Sequence, residues 1–153
     1  MKKILFISFI ALIIDQFIKI TISTKMLVHD SITIIINFFN ITFVKNYGAA
    51  YSIFYGNTIF LILISIISLF LIYFFLIKNK ELKKIDVFSY GILIGGILGN
   101  LIDRVIHGYV IDFLDFKIFG YDFPVFNIAD ICIVISVFLI IIFSKDDKNE
   151  NRS

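Results

Sequence analysis

Thr58–Ile77 reads TIFLILISIISLFLIYFFLI, with no charge anywhere in it. Crossing the hydrocarbon core of a bilayer takes about 20 largely apolar residues, so this stretch has the length and composition of a transmembrane helix. Three similar stretches surround it. The one over about 4–22 carries Asp15, Gln16 and Lys19; about 86–102 is rich in glycine; about 128–143 is dominated by Ile, Val, Phe and Leu. The whole chain agrees: of 153 residues 59% are hydrophobic and only 17% charged, and the mean hydropathy is +0.99. Soluble domains carry about 25% charged residues, and one of this size buries only about two thirds of its surface. A water-soluble globule is therefore excluded. The expected fold class is an all-α membrane protein, four transmembrane helices with a small extracytoplasmic β-rich segment, forming a single domain over 1–153.

The start, Met1-Lys2-Lys3 and an apolar run, also has the look of a secretory signal peptide. No small-x-small cleavage site follows and Asp15 and Lys19 interrupt the run, so a retained first helix is expected. One cysteine excludes an intramolecular disulfide and any multi-cysteine metal site, and two histidines leave little for a zinc enzyme. No basic run interleaves with aromatics on a polar face, so nucleic acid is not an expected partner.

Nine of the fourteen basic residues are Lys2, Lys3, Lys78, Lys80, Lys83, Lys84, Lys145, Lys148 and Arg152. Four spans put all nine on one side, which the positive-inside rule makes cytoplasmic. Both termini are then inside, and segments 23–57 and 103–127 outside. The outer stretch Ile32–Val44 (ITIIINFFNITFV) is dense in β-branched and aromatic residues and predicts one or two strands, either paired with Tyr109–Phe116 or lying on lipid headgroups. The tail Lys145–Ser153 is polar and expected to fray.

Ionisable groups inside a membrane are costly and mark function by default. Asp15 and Lys19 are one helical turn apart and can pair, either as a working pair or as a helix-end pair reaching for the interface. The third span ends GILIGGILGNLIDR. Gly91, Gly95 and Gly99 make the small-xxx-small pattern of close helix packing. Asn100, Asp103 and Arg104, at i, i+3 and i+4, share one helix face. The fourth span opens FPVFNIAD, where Asn127 suits the N-cap and Asp130 the third helical position. Capping alone would account for these two, but Asp130 enters an otherwise apolar helix and needs a partner or a wet pocket. Asp15, Asp103, Asp112 and Asp130 thus gather at the outer boundary. Carboxylates brought together cannot all ionise; one holds its proton while another stays charged, the arrangement by which a pair activates water.

Other hydrolytic schemes fit less well. His29 and His107 are isolated, with no HExxH and no G-x-S-x-G. Cys132 sits among Ile and Val as a packing residue. A Ser52–Lys45 pair stays open on arithmetic. The rival from another class is a small four-span ion or proton transporter subunit using Asp15, Lys19 and Asp103, which needs polar groups continuing inward; the second span has none. A scaffold binding partner helices through Gly91–Gly99 would leave the outer carboxylates unexplained.

Four ordered motifs, DQFIK at Asp15–Lys19, NYGAAYS at Asn46–Ser52, GNLIDRVIHGYVIDF at Gly99–Phe113 and FNIAD at Phe126–Asp130, make the chain resemble the bacterial lipoprotein signal peptidases, or signal peptidase II, over essentially its whole length. The resemblance implies an aspartic peptidase of the bacterial inner membrane, working near the outer face on lipidated prolipoproteins and cutting before the cysteine that bears a diacylglyceryl group. It implies Asp112 and Asp130 as the catalytic pair, with Asp103 the other candidate partner of Asp130; the residues alone do not separate Asp112 from Asp103. It assigns supporting or substrate-binding roles to Asp15, Lys19, Asn46, Asn100, Asp103, Arg104 and Asn127. No metal or organic cofactor is implied, the partners are prolipoprotein substrate and membrane lipid, and a monomer is expected. Tyr51 stands where many relatives carry Phe.

Overall fold

The computed structural model describes residues 1–49, 53–78 and 81–150, without the side chains of 144–150. Helix α1 spans Lys2–Lys25, α2 Thr58–Leu71 with a continuing π-helical turn over Ile72–Ile77, α3 Lys84–His107 and α4 Ile128–Glu150. Strands β1 (Ser31–Ile35) and β2 (Phe39–Asn46) lie between α1 and α2; β3 (Val110–Ile118) and β4 (Tyr121–Asp122) lie between α3 and α4. Among the described residues three helices, α1, α3 and Thr58–Ile77, are long and apolar enough to cross a membrane; the apolar part of α4, Ile128–Phe143, is shorter.

Helix α3 is the hub, packed on one side by α1 and on another by α4. Glycine makes the approach close. A Cβ on Gly95 would stand 2.7 Å from both Ser8 O and Ala11 Cβ, and one on Gly91 2.6 Å from Ile7. Gly96 does the same for α4, where a Cβ would meet Ala129 O at 2.6 Å. Sequence spacing pointed to Gly91, Gly95 and Gly99 and passed over Gly96, which lies off their i+4 series. The buried residues of α1 are Ile4, Ser8, Ala11, Asp15 and Lys19, a single stripe of one helix face. Ser8 Oγ donates to Gly91 O at 2.9 Å, tying the stripe to α3. Because α1 meets α3 from Ile4 against Gly91 to Lys19 against Asp103, the two helices run parallel.

The packing is inverted relative to a water-soluble protein. Phe6, Phe9, Phe17, Ile59, Phe75, Val134 and Phe138 face outward, while Asp15, Lys19, Asp103, Asp112 and Asn127 are all 2% exposed or less. With lipid as solvent, apolar side chains need no cover, whereas polar groups must satisfy one another inside.

Helix α3 runs to His107, five residues past the expected end of the third span, so Asp103 and Arg104 lie on helix rather than in the outer segment. It ends at Gly108, whose φ of 80° lies in the left-handed region that favours glycine. That turn sends the chain directly into β3. The sheet is antiparallel in the order β1-β2-β3-β4, and Val44, Lys45 and Asn46 face Asp112, Ile111 and Val110. The Ile32–Val44 stretch therefore forms a hairpin, and it pairs with the segment expected to receive it. An irregularity between Ile41 and Val44 gives β2 one residue more than β3. At this point the N–H groups of Phe113 and Leu114 both turn to Phe126 O, at 3.0 and 2.8 Å. That tie holds the approach to α4 beside β3. The α4 backbone stays helical to Glu150, beyond where fraying was expected; Asn151–Ser153 lie outside the described residues.

Candidate active site

Two layers of polar side chains meet where α1, α3, α4 and β3 converge. The inner layer centres on Lys19, which does not reach for the interface. Its Nζ lies 2.8 Å from Asp15 Oδ2, 2.9 Å from Asp103 Oδ2 and 3.0 Å from Asn100 Oδ1, using all three of its protons. One cation thus serves two carboxylates, and neutral donors cover the other two oxygens and share Asp103 Oδ2. Ala129 N–H donates to Asp15 at 2.9 Å, Ile111 N–H to Asp103 at 3.1 Å and Gln16 Nε2 to Asp103 at 3.0 Å. Burying such charges is tolerable only when every one is paired and bonded in this way. All of these bonds except the Lys19–Asp15 pair cross elements, joining α1 to α3 and to the start of α4, and α3 to β3.

The outer layer holds Asp112 and Asp130. Asp112, on β3, accepts from Asn46 Nδ2 at 2.8 Å and from Asn127 Nδ2 at 2.6 Å. Asp130, in the first turn of α4, accepts from Asn100 Nδ2 at 2.8 Å and from Asn127 N–H at 3.2 Å. Asn127 Oδ1 in turn takes the N–H of Asp130 at 3.0 Å, the reciprocal bond of a capping box. The capping reading of FNIAD is thus correct, and the cap residues are at the same time partners of the two carboxylates. Among the described residues, no ion pair engages either Asp112 or Asp130.

Both carboxylates line a cavity of about 660 Å³, together with Asn46, Asn100 and Arg104. The rest of its wall is mostly apolar, including Val44, Phe123, Pro124, Phe126, Ile131, Val134 and Ile135. Arg104 is anchored by its Nη2 to Gly48 O at 3.1 Å. Asp15, Lys19, Asp103 and Asn127 do not line this cavity; they stand behind it. Burial above all, and then the negative charge of Asp130, push the Asp112 carboxyl up to about 7 against the pull of the Asn46 and Asn127 donors. A carboxyl that keeps its proton near neutrality beside a second carboxylate can work with it as an acid and a base facing an apolar chamber. Among the described residues, no three His, Cys, Asp or Glu side chains gather as a metal site.

A family profile described as signal peptidase (SPase) II matches residues 7–145. The chain belongs to the signal peptidase II family. A lipoprotein signal peptidase of Staphylococcus aureus strain MRSA252 is 44% identical to it over 147 residues, 95% of this chain and 90% of that protein. The lipoprotein signal peptidase of strain JH9 is 43% identical over the same shares. A bacterial membrane enzyme solved by the in meso method at 2.3 Å resolution superposes with a TM-score of 0.88 at 42% identity, covering 97% of this chain and 92% of that one. A second, at 1.9 Å resolution, gives a TM-score of 0.83 at 43% identity, covering 93% of this chain and 92% of that one.

As a signal peptidase II, the chain is a peptidase, and its four motifs converge. DQFIK supplies Asp15 and Lys19 to the inner layer, the Gly99–Phe113 motif Asn100, Asp103, Arg104 and Asp112, and FNIAD Asn127 and Asp130. Of NYGAAYS, Asn46 reaches Asp112 and Gly48 anchors Arg104, while Tyr51 and Ser52 lie outside the described residues. Sequence reasoning missed Gln16, which bonds Asp103 from α1. Its signal was available, since positions 15, 16 and 19 share one helical face.

Proposed function

We propose that this signal peptidase II is an intramembrane aspartic endopeptidase that removes the signal peptide from diacylglyceryl-modified prolipoproteins, cutting just before the lipidated cysteine. Asp112 and Asp130 are its catalytic pair. The observation that carries this is the division of labour among four carboxylates, three buried and Asp130 half-buried. Asp15 and Asp103 are consumed by Lys19, whereas Asp112 and Asp130 face the cavity and carry only neutral donors. The residues alone left Asp103 and Asp112 as equals; this geometry favours Asp112.

In the reaction, the ionised carboxylate takes a proton from water as the water oxygen attacks the scissile carbonyl carbon. The protonated partner donates to the carbonyl oxygen, and collapse of the tetrahedral intermediate breaks the C–N bond as the amine leaves with a proton. The protonation state is a property of the coupled pair. Asn46, Asn100 and Asn127 orient the two carboxylates by donating to them, and Arg104 holds substrate backbone or lipid. The apolar wall from Phe123 to Ile135 suits acyl chains and the apolar part of a signal peptide, and it keeps competing water low.

All four helices cross the bilayer in this reading, α4 through Ile128–Phe143 and a short polar entry. The lysines at the starts of α1 and α3 put both termini in the bacterial cytoplasm and the site near the outer face of the inner membrane. The enzyme works as a monomer, a single unit over 1–153, without cofactor. Polar side chains lining the way inward would be needed for ion transport; past Asp15 the buried stripe of α1 holds Ala11, Ser8 and Ile4, and the Ser8 hydroxyl is engaged by the backbone oxygens of Ile4 and Gly91. The test is incubation of the purified protein with a diacylglyceryl-modified lipobox peptide and its unmodified twin. Cleavage of the modified peptide alone, with product masses locating the cut before the cysteine, supports the proposal; no cleavage, or cleavage elsewhere, refutes it.

A further inference from the structure

A second cleft lies at the opposite end of the bundle and plays no part in the chemistry above. It has a volume of about 650 Å³ and is lined by Lys2, Lys3, Phe6, Ile7, Leu82, Lys84 and Val87. Because α1 and α3 run parallel, their first turns come together here. On α1, Lys3 precedes Asp15 by twelve residues, which puts the cleft about 18 Å from the inner polar layer along the helix.

Its chemistry is divided. Three ammonium groups stand at the mouth, and none of them has a carboxylate partner among the described residues. Of the nearby acids, Asp86 is turned to the backbone N–H of Lys83 at 2.9 Å, where it caps α3, and Glu81 forms no ion pair with these lysines among the described residues. Helix α1 has no acidic residue in its first turn and no side-chain cap, so its free N–H groups add positive potential at the same point. Below the lysines, Phe6, Ile7 and Val87 form an apolar floor that continues along the outward face of α1, where Leu5, Phe9 and Ile13 are exposed. A ligand that fits carries negative charge at one end and long apolar chains at the other. A soluble anion leaves the floor uncovered, and an apolar segment leaves three lysines unanswered.

We propose that this cleft is a binding site for one anionic glycerophospholipid, its phosphate held by Lys2, Lys3 and Lys84 and its acyl chains lying over Phe6 and Ile7. The bound lipid clamps the first turn of α1 to the first turn of α3, above the close contact at Gly91. The site does not depend on the peptidase reading, since its residues touch neither carboxylate pair.

The experiment is native mass spectrometry of the detergent-purified full chain titrated with phosphatidylglycerol or phosphatidylcholine of the same acyl composition. Phosphatidylglycerol binds more tightly, and each lysine removed weakens it about fivefold, as expected for about 1 kcal/mol per basic side chain near an anionic headgroup. Lys84→Gln therefore loses about fivefold and Lys2→Gln/Lys3→Gln/Lys84→Gln about a hundredfold. Lys25→Gln, at the far end of α1, loses nothing. Glycerol 3-phosphate at the same concentration does not displace the lipid. Equal binding of the two lipids, unchanged phosphatidylglycerol binding in Lys84→Gln, or displacement by glycerol 3-phosphate overturns the proposal. Circular dichroism confirms that each variant is folded, and Lys84→Gln alone carries the test if the triple variant is not.

Discussion

Asn127 holds Asp112 with its amide nitrogen at 2.6 Å while its amide oxygen caps the N–H of Asp130 at 3.0 Å. One side chain therefore starts α4 and spaces the two carboxylates at once, and the two roles can be pulled apart. Asn127→Ala removes both, costing about 1 kcal/mol for the lost cap and most of the turnover. Asn127→Asp keeps an acceptor for the cap but sets a second negative charge against Asp112. The expected result is thermal stability above that of Asn127→Ala together with a loss of kcat at least as large. Thermal unfolding and peptide cleavage measured on the same preparations check it; wild-type kcat in Asn127→Asp would contradict it.

The pH dependence follows from Asp112. Burial, reinforced by Asp130, raises this carboxyl from 3.8 to about 7. The folded protein therefore binds that proton more tightly than the unfolded chain. The stability this contributes is fully present below about 4 and is lost as pH rises through about 7. If Asp112 must carry the proton, kcat/KM falls about tenfold per pH unit on the alkaline side of about 7. A pH–rate profile flat to pH 9 would sink this assignment.

Lys19 is predicted to matter for folding before catalysis. Lys19→Met leaves Asp15 and Asp103 buried without a cation, a change that costs about 3–5 kcal/mol when a buried pair is broken. The variant should unfold at markedly lower temperature, and the double variant Lys19→Met/Asp103→Asn should recover part of the loss. Equal melting temperatures for wild type and Lys19→Met would show that Lys19 is not the centre of the inner layer.

Two glycines separate close packing from backbone conformation. Gly95→Ala drives a methyl into Ser8 and Ala11, an overpacking expected to cost about 1–3 kcal/mol. Gly108→Ala meets no atom within 4 Å, so its cost is only that of a left-handed φ, about 1 kcal/mol. Thermal unfolding should rank Gly95→Ala as the more damaging; the reverse order would mean that α1 and α3 are less tightly joined than the contacts at Gly91 and Gly95 indicate.

Much of this was legible in the residues. Thr58–Ile77 declares itself because a bilayer demands a fixed length of apolar helix. Ile32–Val44 declares itself as strand because β-branched and aromatic residues crowd it. What the residues could not settle is depth and company. Lys19 is one turn from Asp15 in any helix, but its second partner, Asp103, depends on how closely glycine lets α1 approach α3. Asp103 and Asp112 look alike as acids nine positions apart. The left-handed turn at Gly108 separates them, leaving one on a helix face turned to Lys19 and the other on a strand beside Asn46. Gln16 stands out in its apolar span but drew no role because it carries no charge, although its amide bonds one of the buried carboxylates.

The most direct test of Asp112 and Asp130 as the catalytic pair is the single-turnover cleavage rate of a diacylglyceryl-modified lipobox peptide by Asp112→Asn, Asp130→Asn and Asp103→Asn, each shown to be folded. Loss of at least about a hundredfold is expected in the first two, the scale of a missing general acid or base. A smaller loss, accompanied by lowered thermal stability, is expected in Asp103→Asn. Wild-type rates in Asp112→Asn with activity abolished in a stably folded Asp103→Asn would contradict the pairing.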